Sequence, residues 1–175
     1  MERVAVIGSG GAGKTTFARA LGARTGLDVV HLDTFFWKPG WVPTPPDDWR
    51  ALQANLVDRD RWIIDGNFTS TLDIRLRVAD TVVFLDFPRR VCLRRALWRV
   101  VRDHGKATEA EGCPESFDAA FTRWIWTYRR QTRPMVMDAI DRHAAGASVV
   151  VLGRPRDASR YLDDVGGGSR QMAVG

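Results

Sequence analysis

The sequence predicts an α/β fold in which one parallel sheet is covered by helices on both faces. Short apolar runs rich in valine and isoleucine alternate with longer helical patterns, which is the order expected of consecutive β-α units. The chain has 175 residues, enough for a single domain with an ordinary core. The five predicted strands cover residues 4–7, 28–32, 61–65, 81–85 and 148–152.

Helical patterns fill the intervals between these strands. The first predicted helix spans 15–24, where Phe17 and Leu21 are four residues apart, and it ends at Gly26. The aromatic, proline-rich stretch 34–46 is predicted to be a loop. The remaining predicted helices span 47–58, 69–78, 88–103, 116–143, with a bend at Pro134, and 157–165.

A glycine-rich run directly follows the first strand. Residues 8–15 read G-S-G-G-A-G-K-T, which matches the spacing G-x-x-x-x-G-K-[ST] of a phosphate-binding loop. In this spacing the backbone N–H groups surround the β-phosphate of a nucleoside triphosphate, the lysine reaches the β- and γ-phosphate oxygens, and the hydroxyl ligates Mg²⁺. The predicted fold is therefore a P-loop NTPase three-layer sandwich with a five-stranded parallel sheet. The predicted nucleotide-binding residues of this run are Gly8, Ser9, Gly10, Gly11, Ala12, Gly13, Lys14, Thr15 and Thr16.

Charged residues follow several predicted strands, at the edge where parallel sheets bind ligands. Asp65 is predicted to join Thr15 in a Mg²⁺ site, although a carboxylate that only caps the next turn is an alternative. Asp33 is predicted to accept the proton of a hydroxyl that attacks the γ-phosphate, and a plain turn aspartate is the alternative. Arg154 follows the last strand and is predicted to stack on the adenine base.

The stretch after Asp33 is unusually aromatic for a loop, since residues 35–41 read F-F-W-K-P-G-W. Loops carry binding residues more often than core residues. These rings could form a hydrophobic wall for a ring-containing acceptor. They could equally form a small satellite core under the helix that contains Trp49.

The helix predicted over 88–103 carries Arg95, Arg99 and Arg102 on one face. Phosphoryl transfer needs positive charge over the γ-phosphate, and a mobile lid can supply it on closing. These arginines are therefore predicted to act in catalysis together with Lys14 and Asp33, and a solvated helix face is the alternative.

The composition restricts the ligands, the cysteine chemistry and the cellular location that can be expected. The formal net charge is +5, and 23 of the 26 basic residues are arginine, which suits a phosphate ligand and permits weak nucleic-acid binding. Cys92 and Cys113 lie far apart and outside any CxxC pattern, which disfavours a disulfide or zinc site. No apolar run approaches the ~20 residues of a membrane span. We expect a cytoplasmic monomer or homodimer that binds no membrane.

Further motifs extend over nearly the whole chain. Besides the phosphate loop they are H-L-D at 31–33, F-W-K-P-G-W at 36–41, W-I-I-D-G-N at 62–67, L-D-I-R-L at 72–76, F-L-D-F-P at 84–88 and E-G-C-P-E at 111–115. Together they resemble the DNA topology modulation proteins, which are P-loop proteins related to adenylate kinases. The resemblance implies a nucleoside-monophosphate-kinase fold with an acceptor-binding segment after the second strand and a lid after the fourth.

The chain departs from true adenylate kinases after the third strand. Those enzymes follow the aspartate with Gly-Phe-Pro-Arg, whose arginine binds the acceptor phosphate, whereas residues 66–69 here read G-N-F-T. With Asp33 in the acceptor segment, the pattern looks more like P-loop kinases of small hydroxylated metabolites.

The leading prediction is an ATP- and Mg²⁺-dependent kinase that phosphorylates a hydroxyl of a small acceptor. The second is a nucleoside monophosphate kinase in which Arg75 or Arg77 replaces the missing arginine, and the third is a nucleotide-controlled DNA-binding regulator. We predict one kinase domain over 1–165, an acceptor-binding segment over about 33–60, a lid with its following helices over about 94–143, and a flexible tail over 166–175.

Overall fold

The computed structural model describes residues 1–106, 108 and 110–171. In chain order its elements are β1 (Arg3–Gly8), α1 (Lys14–Thr25), β2 (Val29–His31), α2 (Leu32–Phe36), β3 (Trp37–Lys38), β4 (Val42–Pro43), α3 (Pro46–Val57), β5 (Trp62–Asp65), a 3₁₀ turn (Thr69–Thr71), α4 (Leu72–Leu76), β6 (Thr81–Leu85), α5 (Arg89–Asp103), α6 (Ala119–His143), β7 (Ser148–Leu152) and α7 (Pro155–Gln171).

Five of the strands form one parallel sheet in the order β2-β5-β1-β6-β7. β1 is central, and its residues 4–8 are all buried. The register places Val6 beside Asp65 and Gly8 beside Leu85, so the chain leaves β1, β5 and β6 at the same edge of the sheet. This arrangement confirms the predicted P-loop α/β fold.

Each face of the sheet has its own buried apolar cluster. On one face Ile7 and Ile64 pack with side chains of α3, α4 and α6. On the other face Val6 and Ile63 pack with side chains of α1, α5 and α7. Neighbouring residues of one strand therefore serve opposite cores, and each fully buried side chain of this size stabilises the fold by about 1.5–3 kcal/mol.

The segment between β2 and α3 is more structured than predicted. Instead of a loop over 34–46 it forms α2 and an antiparallel hairpin, β3-β4, in which Trp37 pairs with Pro43. Gly40 at φ 78° and Trp41 at φ 61° take left-handed conformations that reverse the chain between the two strands. Two-residue strands are too short to show an alternating pattern, so this hairpin could not be predicted from periodicity.

The last two helices also differ from their predicted extents. α6 begins three residues later than predicted because the Asp118 carboxylate accepts hydrogen bonds from two backbone N–H groups of its first turn, and Pro134 lies inside this helix. α7 continues to Gln171, beyond the predicted end of the last helix at 165, and residues 172–175 of the predicted flexible tail lie outside the described residues. Among the described helices, none is both long and apolar enough to cross a membrane.

Candidate active site

A cleft of about 1940 Å³ lies at the edge of the sheet where the chain leaves β1, β2, β5 and β6. All five predicted catalytic side chains line this cleft, although they come from distant parts of the sequence. They are Lys14, Asp33, Arg95, Arg99 and Arg102. Residues 10–16 of the phosphate loop and α1 line it as well. The predicted site residues that are not among its described lining residues are Gly8, Ser9, Asp65 and Arg154.

The phosphate loop is shaped by backbone that passes very close to its neighbours. A Cβ on Gly11 would lie 2.2 Å from the carbonyl oxygen of Cys92, and one on Gly10 would lie 2.5 Å from the ring of Phe121. Gly13, at φ 88°, precedes α1, so the N-terminus of this helix begins at the loop. The positive end of a helix dipole favours an anion there. The loop can therefore bind an anion through its backbone N–H groups and through the N-terminus of α1.

Lys14 and Ser9 add polar side chains to this loop. The Lys14 Nζ donates a hydrogen bond to the backbone carbonyl of Ser9 at 3.1 Å, which places the ammonium group over the loop. The Ser9 hydroxyl is buried and makes no hydrogen bond within the described residues. Leaving a buried hydroxyl unpaired costs roughly 1–3 kcal/mol. Both groups suit a bound phosphate, which would pair with them.

The three arginines of α5 differ in their partners. The Arg95 Nη1 donates to the Ala12 carbonyl oxygen at 3.1 Å, so its guanidinium lies against the phosphate loop. The Arg99 Nε lies 2.9 Å from the Glu115 Oε2, in an ion pair with the loop that precedes α6. Arg102 is exposed and pairs with the aspartate next to it in the sequence at 2.7 Å. Arg95 is therefore the one of the three that directly contacts the phosphate loop.

Asp33 lies in the first turn of α2 and not directly after a strand, so that part of the prediction is wrong. β2 ends at His31, and α2 begins at the next residue, Leu32, whose side chain is fully buried. His31 pairs with Asp65 in the sheet register, and its Nδ1 lies 2.5 Å from the Asp65 Oδ2. Asp65, the predicted metal ligand, is only 2% exposed and shares one oxygen with this histidine. The H-L-D motif contains His31, but nothing local indicates its partner.

The two interpretations of the aromatic stretch each hold for part of it. Phe36 packs with its ring centroid 5.0 Å from that of Trp49 and 4.7 Å from that of Phe68, which forms a satellite core. Trp37 and Trp41 meet edge to face at 5.5 Å, and both line the cleft together with Phe68. This side of the cleft therefore has an aromatic wall supported by a small aromatic core.

Arg75 is fully buried and supports the chain after β5. Its Nη2 donates to the carbonyl oxygens of Gly66 at 3.1 Å and Asn67 at 3.0 Å, and its Nη1 donates to the Gln53 Oε1. Burial lowers the pKa of its guanidinium to about 9, although nearby carboxylates oppose this shift. Arg75 thus holds the cleft wall from behind. Arg77 is exposed, and neither Arg75 nor Arg77 is among the described lining residues of the cleft.

The loop between α5 and α6 contacts the turn between β3 and β4. The Gly40 N–H donates to the Gly112 carbonyl oxygen at 3.0 Å, and the buried Cys113 thiol donates to the Lys38 carbonyl oxygen at 3.2 Å. Gly112, at φ 69°, approaches so closely that an added Cβ would lie 2.7 Å from the Pro39 Cβ. These two segments therefore form one continuous wall of the cleft.

Comparison with known proteins supports the fold. No protein-family profile matches this chain. It is 27% identical over 131 residues to the uncharacterized protein YqaC of Bacillus subtilis (strain 168), a match that covers 73% of this chain and 72% of that protein.

Solved kinases share its architecture. An unliganded sugar kinase from Janibacter sp. HTCC2649 has a TM-score of 0.57 at 20% identity and covers 93% of each chain. A shikimate kinase from Acinetobacter baumannii in complex with shikimate has a TM-score of 0.58 at 14% identity, covering 100% of this chain and 96% of its own. These similarities show a kinase-like P-loop fold. They do not support the narrower resemblance to the DNA topology modulation proteins, which stays a prediction.

Proposed function

We propose that the protein is an ATP- and Mg²⁺-dependent kinase that phosphorylates a hydroxyl group of a small molecule. The observation that carries this proposal is a single cleft in which the Asp33 carboxylate and an aromatic wall accompany the phosphate loop. Fold neighbours that are sugar and shikimate kinases support it, because sugars and shikimate carry hydroxyl groups.

In the proposed reaction, Asp33 takes the proton of the acceptor hydroxyl while that oxygen attacks the γ-phosphorus of ATP. A new oxygen–phosphorus bond forms as the bond from the γ-phosphorus to the β–γ bridging oxygen breaks, and ADP leaves. Lys14 and Arg95 stabilise the charge of the transferred phosphoryl group from the side of the phosphate loop. Arg99 and Arg102 add positive charge from α5, within the proposed lid over about 94–143.

Residues 8–16 would hold the nucleotide phosphates, with the buried Ser9 hydroxyl as one donor. Thr15 would ligate Mg²⁺, and the Asp65 oxygen that is not bonded to His31 would order its waters. Mg²⁺, when bound, neutralises charge on the β- and γ-phosphates. Such an ion is usually held by phosphates, water and one or two protein oxygens, and Thr15, which lines the cleft, fits this donor set, whereas the buried Asp65 would act only through water. Arg154 is proposed to stack on the adenine, beside Pro155, which lines the cleft.

A phosphate acceptor fits the other half of the cleft less well. Binding a monophosphate needs positive charge, preferably a bidentate arginine. The acceptor segment, proposed over about 33–60, instead presents the Asp33 carboxylate, and Arg75 is buried behind the wall. A hydroxyl acceptor is therefore favoured over a nucleoside monophosphate. The DNA-binding alternative rests on the net charge of +5 alone.

Coupled measurement of ADP release tests the proposal. The protein would be assayed with Mg-ATP against shikimate, monosaccharides, cyclitols and nucleosides, and separately against nucleoside monophosphates. We expect one or more hydroxyl compounds to raise ADP release well above the rate without an acceptor. Turnover with monophosphates alone, or no turnover with any compound, would contradict the proposal.

A further inference from the structure

We propose that Asn67 binds an oxygen atom next to the reacting hydroxyl of the acceptor, which identifies the acceptor as a cyclic polyol. This inference rests on the proposed kinase function and names the class of its acceptor. It is carried by the presence of Asn67 in the same cleft as Asp33, by the hydrogen bond that Tyr128 donates to its amide oxygen, and by the buried Arg75 that holds its backbone.

Asp33 and Asn67 occupy equivalent positions after two neighbouring strands. His31 of β2 and Asp65 of β5 are register partners in the parallel sheet. Asp33 comes two residues after His31, and Asn67 comes two residues after Asp65. Both side chains line the same cleft. In this proposal, an acceptor bound at Asp33 also contacts Asn67.

The amide group of Asn67 has a defined orientation. The Tyr128 hydroxyl donates a hydrogen bond to the Asn67 Oδ1 at 3.1 Å. Tyr128 is almost completely buried, and this burial raises the pKa of its phenol further above neutral pH. With Oδ1 bonded to Tyr128, the side-chain group that Asn67 offers to the cleft is the Nδ2 amino group. Asn67 is therefore a hydrogen-bond donor toward the acceptor.

The backbone around Asn67 is held in a strained and costly arrangement. Phe68 has φ 30°, a conformation that a bulky residue rarely adopts, and a Cβ on Gly66 would lie 2.9 Å from the Leu32 Cβ. Arg75 supports both carbonyl groups of this turn while its own Nε stays buried without a partner among the described residues. Such strain is found mainly at functional sites, where the surrounding structure maintains it.

The chemistry of the two side chains defines the acceptor. An ionised carboxylate such as Asp33 only accepts hydrogen bonds, so it requires a hydroxyl that donates. The Asn67 amino group only donates, so it requires an oxygen that accepts. Trp37 and Trp41 add apolar faces suited to the C–H groups of a ring. A ring with oxygens on neighbouring carbons meets all three requirements.

The decisive experiment compares acceptor kinetics of the wild type and Asn67→Asp. The substitution keeps an oxygen for Tyr128 but replaces the amino donor with a second acceptor oxygen. The probes are shikimate, D-glucose, D-ribose and myo-inositol, each with its monodeoxy analogues. We expect at least a ~10-fold rise in KM for the polyol that turns over, because a site built to hydrogen-bond one group rejects its mismatch strongly, with KM for ATP unchanged. Asn55→Asp on the exposed surface of α3 is the matched control and should leave both constants unchanged.

The outcomes separate this inference from the proposed function. If none of these probes is phosphorylated but another hydroxyl compound such as a nucleoside is, only this inference fails. If no hydroxyl compound is phosphorylated, the kinase proposal fails and this inference fails with it. If a probe turns over with the same KM in Asn67→Asp as in the wild type, only the role of Asn67 is overturned. If Asn67→Asp does not fold, the inference is tested with the wild-type protein and the deoxy analogues instead. Removal of the oxygen next to the reacting hydroxyl should then lower kcat/KM at least ~10-fold, and equal values for a polyol and all its deoxy analogues overturn the inference.

Discussion

The two halves of the cleft are fixed by different kinds of interaction. The phosphate half is a short run, residues 8–15, whose shape follows from glycine backbone close to its neighbours and from the helix that starts at Lys14. The acceptor half is held by side chains from distant elements, with Arg75 and Tyr128 bonded to Asn67 from α4 and α6. The comparison shows that one half is recognisable from a single short run of sequence, although α5 and α6 pack against it, whereas the other half combines side chains of several elements.

The strongest test of the phosphate half is Lys14→Ala. We expect loss of ATP binding and of turnover with the fold intact, because the ammonium group lies over the loop on a partly exposed side chain. Calorimetric titration with Mg-ATP measures the binding, and circular dichroism verifies the fold. Lys38→Ala, an exposed lysine of the acceptor segment, is the control. Unchanged ATP affinity in Lys14→Ala would contradict the assignment of the loop.

Simultaneous replacement of Arg95, Arg99 and Arg102 by Ala should lower kcat by at least ~10³, the scale attributed to an arginine that acts on a transferring phosphoryl group. Among single variants, Arg95→Ala should cause the largest loss because this guanidinium contacts the phosphate loop. Steady-state kinetics measures both effects. The control is Arg90→Ala with Arg94→Ala, since these exposed arginines of α5 are outside the described cleft lining. Near wild-type rates in the triple variant would mean that these arginines only form a solvated helix face and do not act in catalysis.

Asp33→Asn tests the chemistry of the acceptor half. The substitution preserves shape but removes the proton acceptor, so we expect kcat to fall roughly 10²- to 10⁴-fold, with KM for ATP unchanged. Asp47→Asn, on the exposed first turn of α3, should have no effect. A fully active Asp33→Asn enzyme on a hydroxyl substrate would exclude the proposed base.

The smallest expected effect is on stability, from Gln53→Leu. This change leaves the buried Nη1 of Arg75 without its partner, which should lower the free energy of unfolding by about 1–3 kcal/mol. Urea unfolding at neutral pH measures the loss, and Gln131→Leu on the exposed face of α6 is the control. Because Arg75 supports the acceptor wall, KM for the acceptor should rise more than KM for ATP. Equal changes in both constants would mean that the two halves are not held independently.

The same contrast explains which features could be predicted from sequence. The phosphate loop, the order of strands and helices, and the arginines on one face of α5 depend on spacing along a few turns of chain, and these patterns placed Lys14, Asp33 and Arg95 in one cleft. The pairs of His31 with Asp65 and of Tyr128 with Asn67 join residues 34 and 61 positions apart. No local pattern encodes such pairs, because they arise only when separate elements pack together.

The hydrogen bonds that join Gly112 and Cys113 to the turn between β3 and β4 connect the predicted lid with the predicted acceptor-binding segment. In the proposed enzyme, any movement of the lid away from that segment would first have to break these bonds. Each hydrogen bond contributes roughly 0.5–1.5 kcal/mol, so together they oppose such a movement only modestly. Loop opening commonly limits turnover in enzymes that enclose their substrates. If such a movement limited product release, weakening the bonds of Gly40 to Gly112 and of Cys113 to Lys38 would change turnover without altering the phosphoryl-transfer step.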